Sequence, residues 1–238
     1  MGVYRDGFVQ KSYNSISKKF NIFLKNEKYG SKKALEYLIE ERKITEKIID
    51  LYEIGYCPEK ISLPDNLNFL RDRIVFPVKD EYGDVAGFTS RIYEKNDDRE
   101  RWLNDIYDKS YFLYGLDVAF DYIIKYNFII LVEGSVDALL CYKSGLKNTV
   151  ALLTTKFSDI QMAKIMRLTH NIVVVMDGNE SGQMASKEIC ENINKYRDMK
   201  SINVCLKENG IEYDPAEYLS KKSPKFIINQ IKKNLNKE

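Results

Sequence analysis

Four carboxylates in this chain follow apolar runs or sit one helical turn beyond them. Glu133 closes Phe128 to Val132, Asp137 lies four residues further on, Asp177 closes Ile172 to Met176, and Asp214 precedes Pro215 shortly after Ile202 to Leu206. An unbroken apolar run of this length predicts a buried strand, so an acid directly after it stands at the strand's carboxyl end. Asp137 falls in the first turn of the helix expected after Glu133 and can face the same sheet edge. Carboxylates converging on one edge make the oxygen-rich surroundings that hard cations such as magnesium or manganese require. Such a cluster could hold both the attacking and the leaving oxygen of a phosphoryl transfer.

Other chemistries lack their residues. His170 is the single histidine and opens an apolar run, so it reads as a strand-edge residue. Cys57, Cys141, Cys190 and Cys205 are scattered with no Cys-x-x-Cys pair, which predicts buried reduced thiols and no zinc site. Nucleophilic catalysis by a Ser-His or Cys-His pair has no support.

The elements that must position the acids alternate. Strands are expected at 128–132, 149–153, 172–176 and 202–206, with helices at 136–143, from Ser158 to about 168, and at 180–194. Continuous apolar strands alternating with helices predict a parallel sheet covered on both faces, with its site at the strands' carboxyl ends. Upstream, Arg73 to Lys79 and Val85 to Tyr93 flank the turn Asp80 to Asp84 and read as an antiparallel hairpin, with Pro77 at an edge or bulge. Residues 94–101 read as a loop, followed by a helix near 117–125. Ala34, Leu35, Leu38 and Ile39 have helical spacing, and a second helix is expected from Thr45 as N-cap. Residues 1–30 read as an irregular helix or a packing arm.

With 44% hydrophobic and 30% charged residues in 238, the chain has the balance of a globular protein of one or two domains. No apolar stretch is long enough to cross a bilayer and no signal-peptide core opens the chain, so a cytoplasmic protein is expected. The net charge of +2 hides an uneven distribution: residues 1–33 hold eight Lys/Arg against two acids, and residues 220–238 six against one. Basic ends around an acidic centre suit a protein that meets phosphates at its margins and cations in its middle.

The order strand-Glu-Gly, strand, strand-Asp-Gly resembles a Toprim domain. Glu133-Gly134-Ser135-Val136-Asp137, Asp177-Gly178-Asn179-Glu180-Ser181-Gly182 and Tyr213-Asp214-Pro215-Ala216-Glu217-Tyr218-Leu219 look like successive motifs of the DnaG-type bacterial primases. The likeness extends upstream to Arg71-Asp72-Arg73-Ile74-Val75-Phe76-Pro77-Val78, Gly87 to Arg91, Arg101-Trp102-Leu103-Asn104 and Leu113 to Leu116, and reaches back to Tyr37 to Arg42 and Ile54 to Pro58. The resemblance covers about residues 31–220. It implies an α/β fold, a Toprim-like parallel sheet sandwiched by helices and preceded by a smaller α+β subdomain. The expected divisions are a basic segment at 1–30, the primase-type subdomain at 31–125, the Toprim domain at 126–208 and a Lys-rich helical extension at 209–238.

The activity so implied is template-directed synthesis of short RNA primers from ribonucleoside triphosphates on single-stranded DNA, with one or two magnesium or manganese ions and no zinc. By position, Glu133 and Asp177 are the implied catalytic residues, and Glu133, Asp137, Asp177, Asn179 and Asp214 the implied metal residues. Arg42, Arg71, Arg73, Arg91, Arg101, Trp102, Asn104 and Lys109 fall where the family contacts nucleotide or template. Arginine forks suit triphosphate oxygens, and an indole can stack on a base. A replicative helicase, or a separate zinc-binding or helicase chain, is the implied partner, and a phage or mobile element a fitting source. No zinc-binding module is expected before the core and no helicase-docking part after it.

The chain departs from the family pattern at three places. Asn179 and Ala216 stand where aspartates are usual, and Thr154-Thr155 where Gly-Thr is usual. Losing two carboxylates predicts weaker metal affinity, above all at a second ion. A degenerate primase-like binding module and a Toprim nuclease are the alternative readings.

Overall fold

The computed structural model describes residues 7–235 apart from 95 and 155, so Thr155 and residues 1–6 lie outside the described residues. The chain forms two compact units, residues 1–108 and 109–238. The division falls earlier than the expected 125/126, because the helix at 116–126 packs its Leu116, Ala119 and Ile123 into the second unit's core.

The first unit opens with α1 (Gly7–Leu24), one continuous helix where an irregular helix or a packing arm was expected. Tyr13, Phe20 and Leu24 recur at helical spacing and are buried; Tyr13 and Phe20 pack on Phe88 and Val75. Next come α2 (Lys32–Glu36), which widens into a π-helical turn at Tyr37–Glu41, and α3 (Glu46–Leu51), with extended Thr45 as its N-cap residue. Strands β1 (Gly55–Cys57), β2 (Arg73–Lys79), β3 (Val85–Arg91) and β4 (Trp102–Asn104) form an antiparallel sheet in that order. The expected hairpin is β2 and β3. Its turn is closed by Asp80, whose Oδ1 accepts from the amides of Tyr82 and Asp84. Pro77 lies past the residues of β2 that pair with β1, just before a register shift at Val78/Lys79, where its missing N–H costs least.

The second unit carries α4 (Leu116–Tyr126), β5 (Ile129–Val132), α5 (Ser135–Lys143), β6 (Thr149–Ala151), α6 (Asp159–Met166), β7 (Asn171–Val174), α7 (Glu180–Ile193) and β8 (Lys200–Asn203). All neighbouring pairs are parallel, in the order β6-β5-β7-β8. Ile129 to Val132 are each buried, as strands covered on both faces require. Ser158 caps α6 through a reciprocal pair with Gln161. The fourth strand begins earlier than expected, at Lys200, whose amide donates to the carbonyl of His170. A hairpin of β9 (Lys207–Glu208) and β10 (Ile211–Glu212) follows, with Asn209 and Gly210 both at positive φ. Asn-Gly between short strands is a hairpin signal that the strand-by-strand sequence reading passes over. Helices α8 (Pro215–Lys221) and α9 (Lys225–Leu235) complete the unit.

Cys57 and Cys141 are buried as expected, but Cys190 and Cys205 are only half-buried. Ile189 and Ile193 take the inward face of α7, leaving Cys190 on its flank, and Cys205 falls after β8 has ended. All four are free thiols.

Candidate active site

The acidic edge is built by the second unit. Glu133 immediately follows β5, and Asp177 is reached from β7 through buried Val175 and Met176. The amide of Val175 still donates to Leu131, so the chain leaves the sheet only as it arrives at Asp177. Two glycines allow other elements to close over this turn. A Cβ on Gly178 would lie 2.6 Å from the Leu206 carbonyl and 2.9 Å from that of Tyr213, and one on Gly182 would collide with the Asp177 carbonyl. The segment leading into Asp214 is thereby drawn against the end of β7: the Gly178 amide donates to the Tyr213 carbonyl at 2.9 Å.

Asp137 is placed differently from a free ligand. It is buried, and both its oxygens accept backbone amides, Gly134 N–H at 3.0 Å and Ala216 N–H at 2.9 Å. The carboxylate therefore caps α5 and ties the start of α8 to it. Asn179 and Asp214 are also helix caps. Asn179 Oδ1 accepts from the Gly182 amide at 2.8 Å, and Asp214 Oδ1 from the Glu217 amide at 2.5 Å. An asparagine caps a helix as well as an aspartate does, so the Asn179 departure leaves the fold intact while lowering the charge. Ala216, the other departure, is buried, and its amide serves Asp137.

The electrostatics point one way. Burial raises the carboxyl of Glu133, and burial, Glu133 and Asp214 together push Asp177 up to about 6. Asp137 is raised to about 7, first by burial and then by Asp214 and Asp177, against the pull of its two amide donors. The influences on Asp177 are all upward and include no cation. Among the described residues no three His, Cys, Asp or Glu side chains close into a ready-made metal cage. What exists is an edge of mutually repelling carboxylates, which suits a magnesium-like ion that keeps most of its waters and takes one or two protein oxygens plus phosphates.

The first unit holds every basic candidate but Lys109. Arg91 ends β3 opposite Trp102 on β4, and its guanidinium lies 5.0 Å from the Trp102 ring centre and 5.6 Å from that of Tyr37. Arg42, just past the π-helical turn, sits 5.9 Å from the same Tyr37 ring. Burial lowers the Arg91 pKa, and Arg42 and Arg101 lower it further while Tyr37 opposes them. The Nε atoms of Arg42 and Arg91 are buried without hydrogen-bond partners among the described residues. Trp102 is half-buried and also packs on Phe76 at 5.5 Å. Half-buried guanidiniums with no carboxylate partner among the described residues form an anion-seeking surface.

The remaining candidates divide. Arg101 and Asn104 are exposed on and beside β4. Arg73 is fully buried and donates to Ser90 Oγ at 3.0 Å and to the carbonyls of Glu100 at 2.6 Å and Arg101 at 3.0 Å, so it holds the strand carrying Arg101 and Trp102. Arg71 likewise spends donors on the Glu59 carbonyl and Asn68 Oδ1. Lys109, in the second unit, is half-buried with its pKa lowered by burial. Tyr37 is the member that sequence reading left out. Its signal, an aromatic five residues before Arg42, is indistinguishable from a core position without the fold.

Comparisons with known proteins agree with this fold. A Toprim-like family model matches residues 130–219, and one for the N-terminal domain of the DNA primase catalytic core matches residues 60–120. The chain is 29% identical over 234 residues to a DNA primase of Lactococcus lactis, covering 86% of this chain and 36% of that protein. Identity to the Borreliella burgdorferi DNA primase is 30% over 240 residues, 87% of this chain and 43% of that protein. The chain thus spans well under half the length of these curated relatives. Among solved structures, the zinc-binding and RNA polymerase domains of Aquifex aeolicus primase superpose with a TM-score of 0.78 at 26% identity, over 93% of this chain and 59% of that one. A DnaG primase catalytic domain bound to single-stranded DNA gives 0.79 at 21% identity, over 95% of this chain and 80% of that one. By sequence and by fold alike, this chain is similar to the catalytic core of DnaG-type primases.

Proposed function

We propose that the chain is the catalytic part of a DNA primase, which joins ribonucleoside triphosphates into short RNA primers on a single-stranded DNA template. The observation that carries this reading is the uncompensated acidic edge, in which half-buried Asp177 is raised to about 6 by burial, Glu133 and Asp214. It belongs to a nucleotidyltransferase reading because the neighbouring sequence, residues 60–120, matches the primase-specific domain, which Toprim nucleases would not require.

In this reading Glu133, Asp177 and Asp214 hold one or two magnesium or manganese ions. A bound divalent ion would supply charge for the triphosphate and a lowered pKa for the primer's 3′-hydroxyl. The chain's own residues supply placement. Asp137 positions the α5 and α8 ends through its two amide contacts rather than by reaching an ion. Arg91, Arg42 and Arg101 take phosphate oxygens of nucleotide or template, and Trp102 offers its ring to a base. Arg73 acts by holding Arg101 and Trp102 in place. No side-chain nucleophile is needed, since the attacking oxygen belongs to the primer.

Asn179 and Ala216 leave the edge short of carboxylates, so the proposed site holds its first ion better than a second. No described helix is long and apolar enough to cross a membrane. A cytoplasmic place beside a replicative helicase fits the same reading, with a zinc-binding module on this or another chain. The test is incorporation of labelled ribonucleotides on single-stranded DNA by the purified protein with magnesium or manganese. Glu133→Gln and Asp177→Asn should each abolish it, and synthesis unchanged in both would show the site to be wrong.

A further inference from the structure

We propose that the opposite rim of the parallel sheet, at the amino ends of β5 and β6, is a second contact for single-stranded nucleic acid. Four aromatic rings form a ladder there. Tyr142, in the last turn of α5, meets Tyr122 of α4 edge-on at 6.2 Å. Tyr122 lies nearly parallel to Tyr126 at 6.3 Å, and Tyr126 meets Phe128 at 6.4 Å. Tyr126 is 43% exposed, so the ladder is open to solvent in its middle.

Cations sit on the same rings. Lys147 Nζ is 5.1 Å from the Tyr122 centre and 5.5 Å from that of Tyr142, within 3.5 Å of the Tyr122 hydroxyl. Lys125 Nζ is 5.5 Å from Tyr126. The segments leading into β5, β6 and β7, residues 125–128, 143–148 and 167–170, contain Lys125, Lys143, Lys147 and Arg167 and no acid. Ahead of β5, β6 and β7 the amino-end segments are therefore cationic, while Asp198 stands ahead of β8, and the acids Glu133 and Asp177 lie at the carboxyl ends of β5 and β7. Four residues of β5 separate the two rims by roughly 13 Å, so this surface is distinct from the acidic edge.

Basic residues at helix C-termini favour the helix dipole by themselves. The aromatic ladder is not explained that way. Rings flanked by Lys147 at Tyr122 and Tyr142 and by Lys125 at Tyr126 match a base-stacking platform beside a phosphate track. An acidic polypeptide would use the lysines but has no need of four rings. This contact extends the proposed primase reading by giving the template a second hold, yet it is tested without catalysis.

The test uses fluorescein-labelled oligodeoxythymidylate, read by anisotropy in EDTA across a potassium chloride series. For the Lys125→Glu/Lys147→Glu pair, the slope of log affinity against log salt should fall by about 1.4, the effect of two lost phosphate contacts on a single strand. Tyr126→Ala should weaken binding about tenfold, as loss of one stacked base does. A strand carrying 5-bromodeoxyuridine should photocrosslink to Tyr126 in the folded wild-type protein. Unchanged slope and affinity in both variants, with no crosslink, would overturn the proposal. So would poly-glutamate binding that is lost in the lysine pair while oligonucleotide binding persists, since the rim would then receive an acidic protein segment. Asp177→Asn separates the two proposals, because it should stop primer synthesis and leave this binding intact.

Discussion

Replacing Asp177 by asparagine should move stability in opposite directions with and without a divalent ion. Asp177 is raised from the ordinary aspartate range near 4 to about 6 by burial, Glu133 and Asp214. Two pKa units correspond to about 3 kcal/mol, and water reaching the half-exposed carboxylate reduces the usable part to about 1–1.5 kcal/mol. A carboxyl raised in the folded state binds its proton more tightly there than in the unfolded chain. The wild-type protein therefore loses this increment as pH rises from about 4 to about 6, and stays without it above that. A neutral asparagine is not subject to the loss. In EDTA at pH 8 the Asp177→Asn variant should melt about 2–6 °C above wild type. Adding manganese at a hundredfold excess over its dissociation constant should stabilise wild type by about 2.7 kcal/mol and the variant by far less. The two proteins then exchange order, which differential scanning fluorimetry with and without manganese reads directly. A variant that melts below wild type in EDTA, or that keeps the full manganese shift, would refute the reasoning that Asp177 is a strained carboxylate awaiting a cation.

Further outcomes follow from individual contacts. Asp137→Ala leaves the amides of Gly134 and Ala216 without their acceptor, and urea titration should show a loss of about 2 kcal/mol after the relief of a desolvated carboxylate is set against it; unchanged stability would contradict the capping role. Because Asp137 is raised to about 7, wild-type stability in EDTA should fall as pH rises from about 4 to about 7, and a melting temperature flat across that range would count against the buried carboxyl. Asn179→Asp keeps the α7 cap and adds charge, so manganese-induced stabilisation and primer synthesis should both rise; no change in either would show that position 179 does not touch an ion. Arg91→Met removes a cation held in a desolvated place between Tyr37 and Trp102, so nucleotide KM should rise about tenfold or more without loss of stability, and an unchanged KM would remove Arg91 from the nucleotide contacts.

Much of the architecture follows from local pattern. The runs at Ile129 to Val132 and Ile172 to Val174 declared parallel strands by being apolar on both faces, and the acids directly after them declared the site's edge. Ser158 marked a helix start, which the structure closes with Gln161, and the Asp80 turn marked the hairpin. These signals reside within one turn or one strand, where period and capping act. Less visible were the uses of residues whose partners are distant in sequence. Arg73 resembles the other arginines of its motif, yet it is spent on the backbone of residues 100 and 101.

The alternating strands and helices, the acids at their ends and the likeness to primases are all carried by residue type and short spacing. Folding makes Asp137 a tether, since its second acceptor contact is with the Ala216 amide 79 residues away. Folding likewise brings Arg91 beside two rings, one of them contributed by Tyr37 from a different element, and gathers the aromatic ladder on the rim opposite Glu133 and Asp177. Long-range packing brings such groups together, and which oxygens are left for a ligand depends on how many of them backbone amides have already taken.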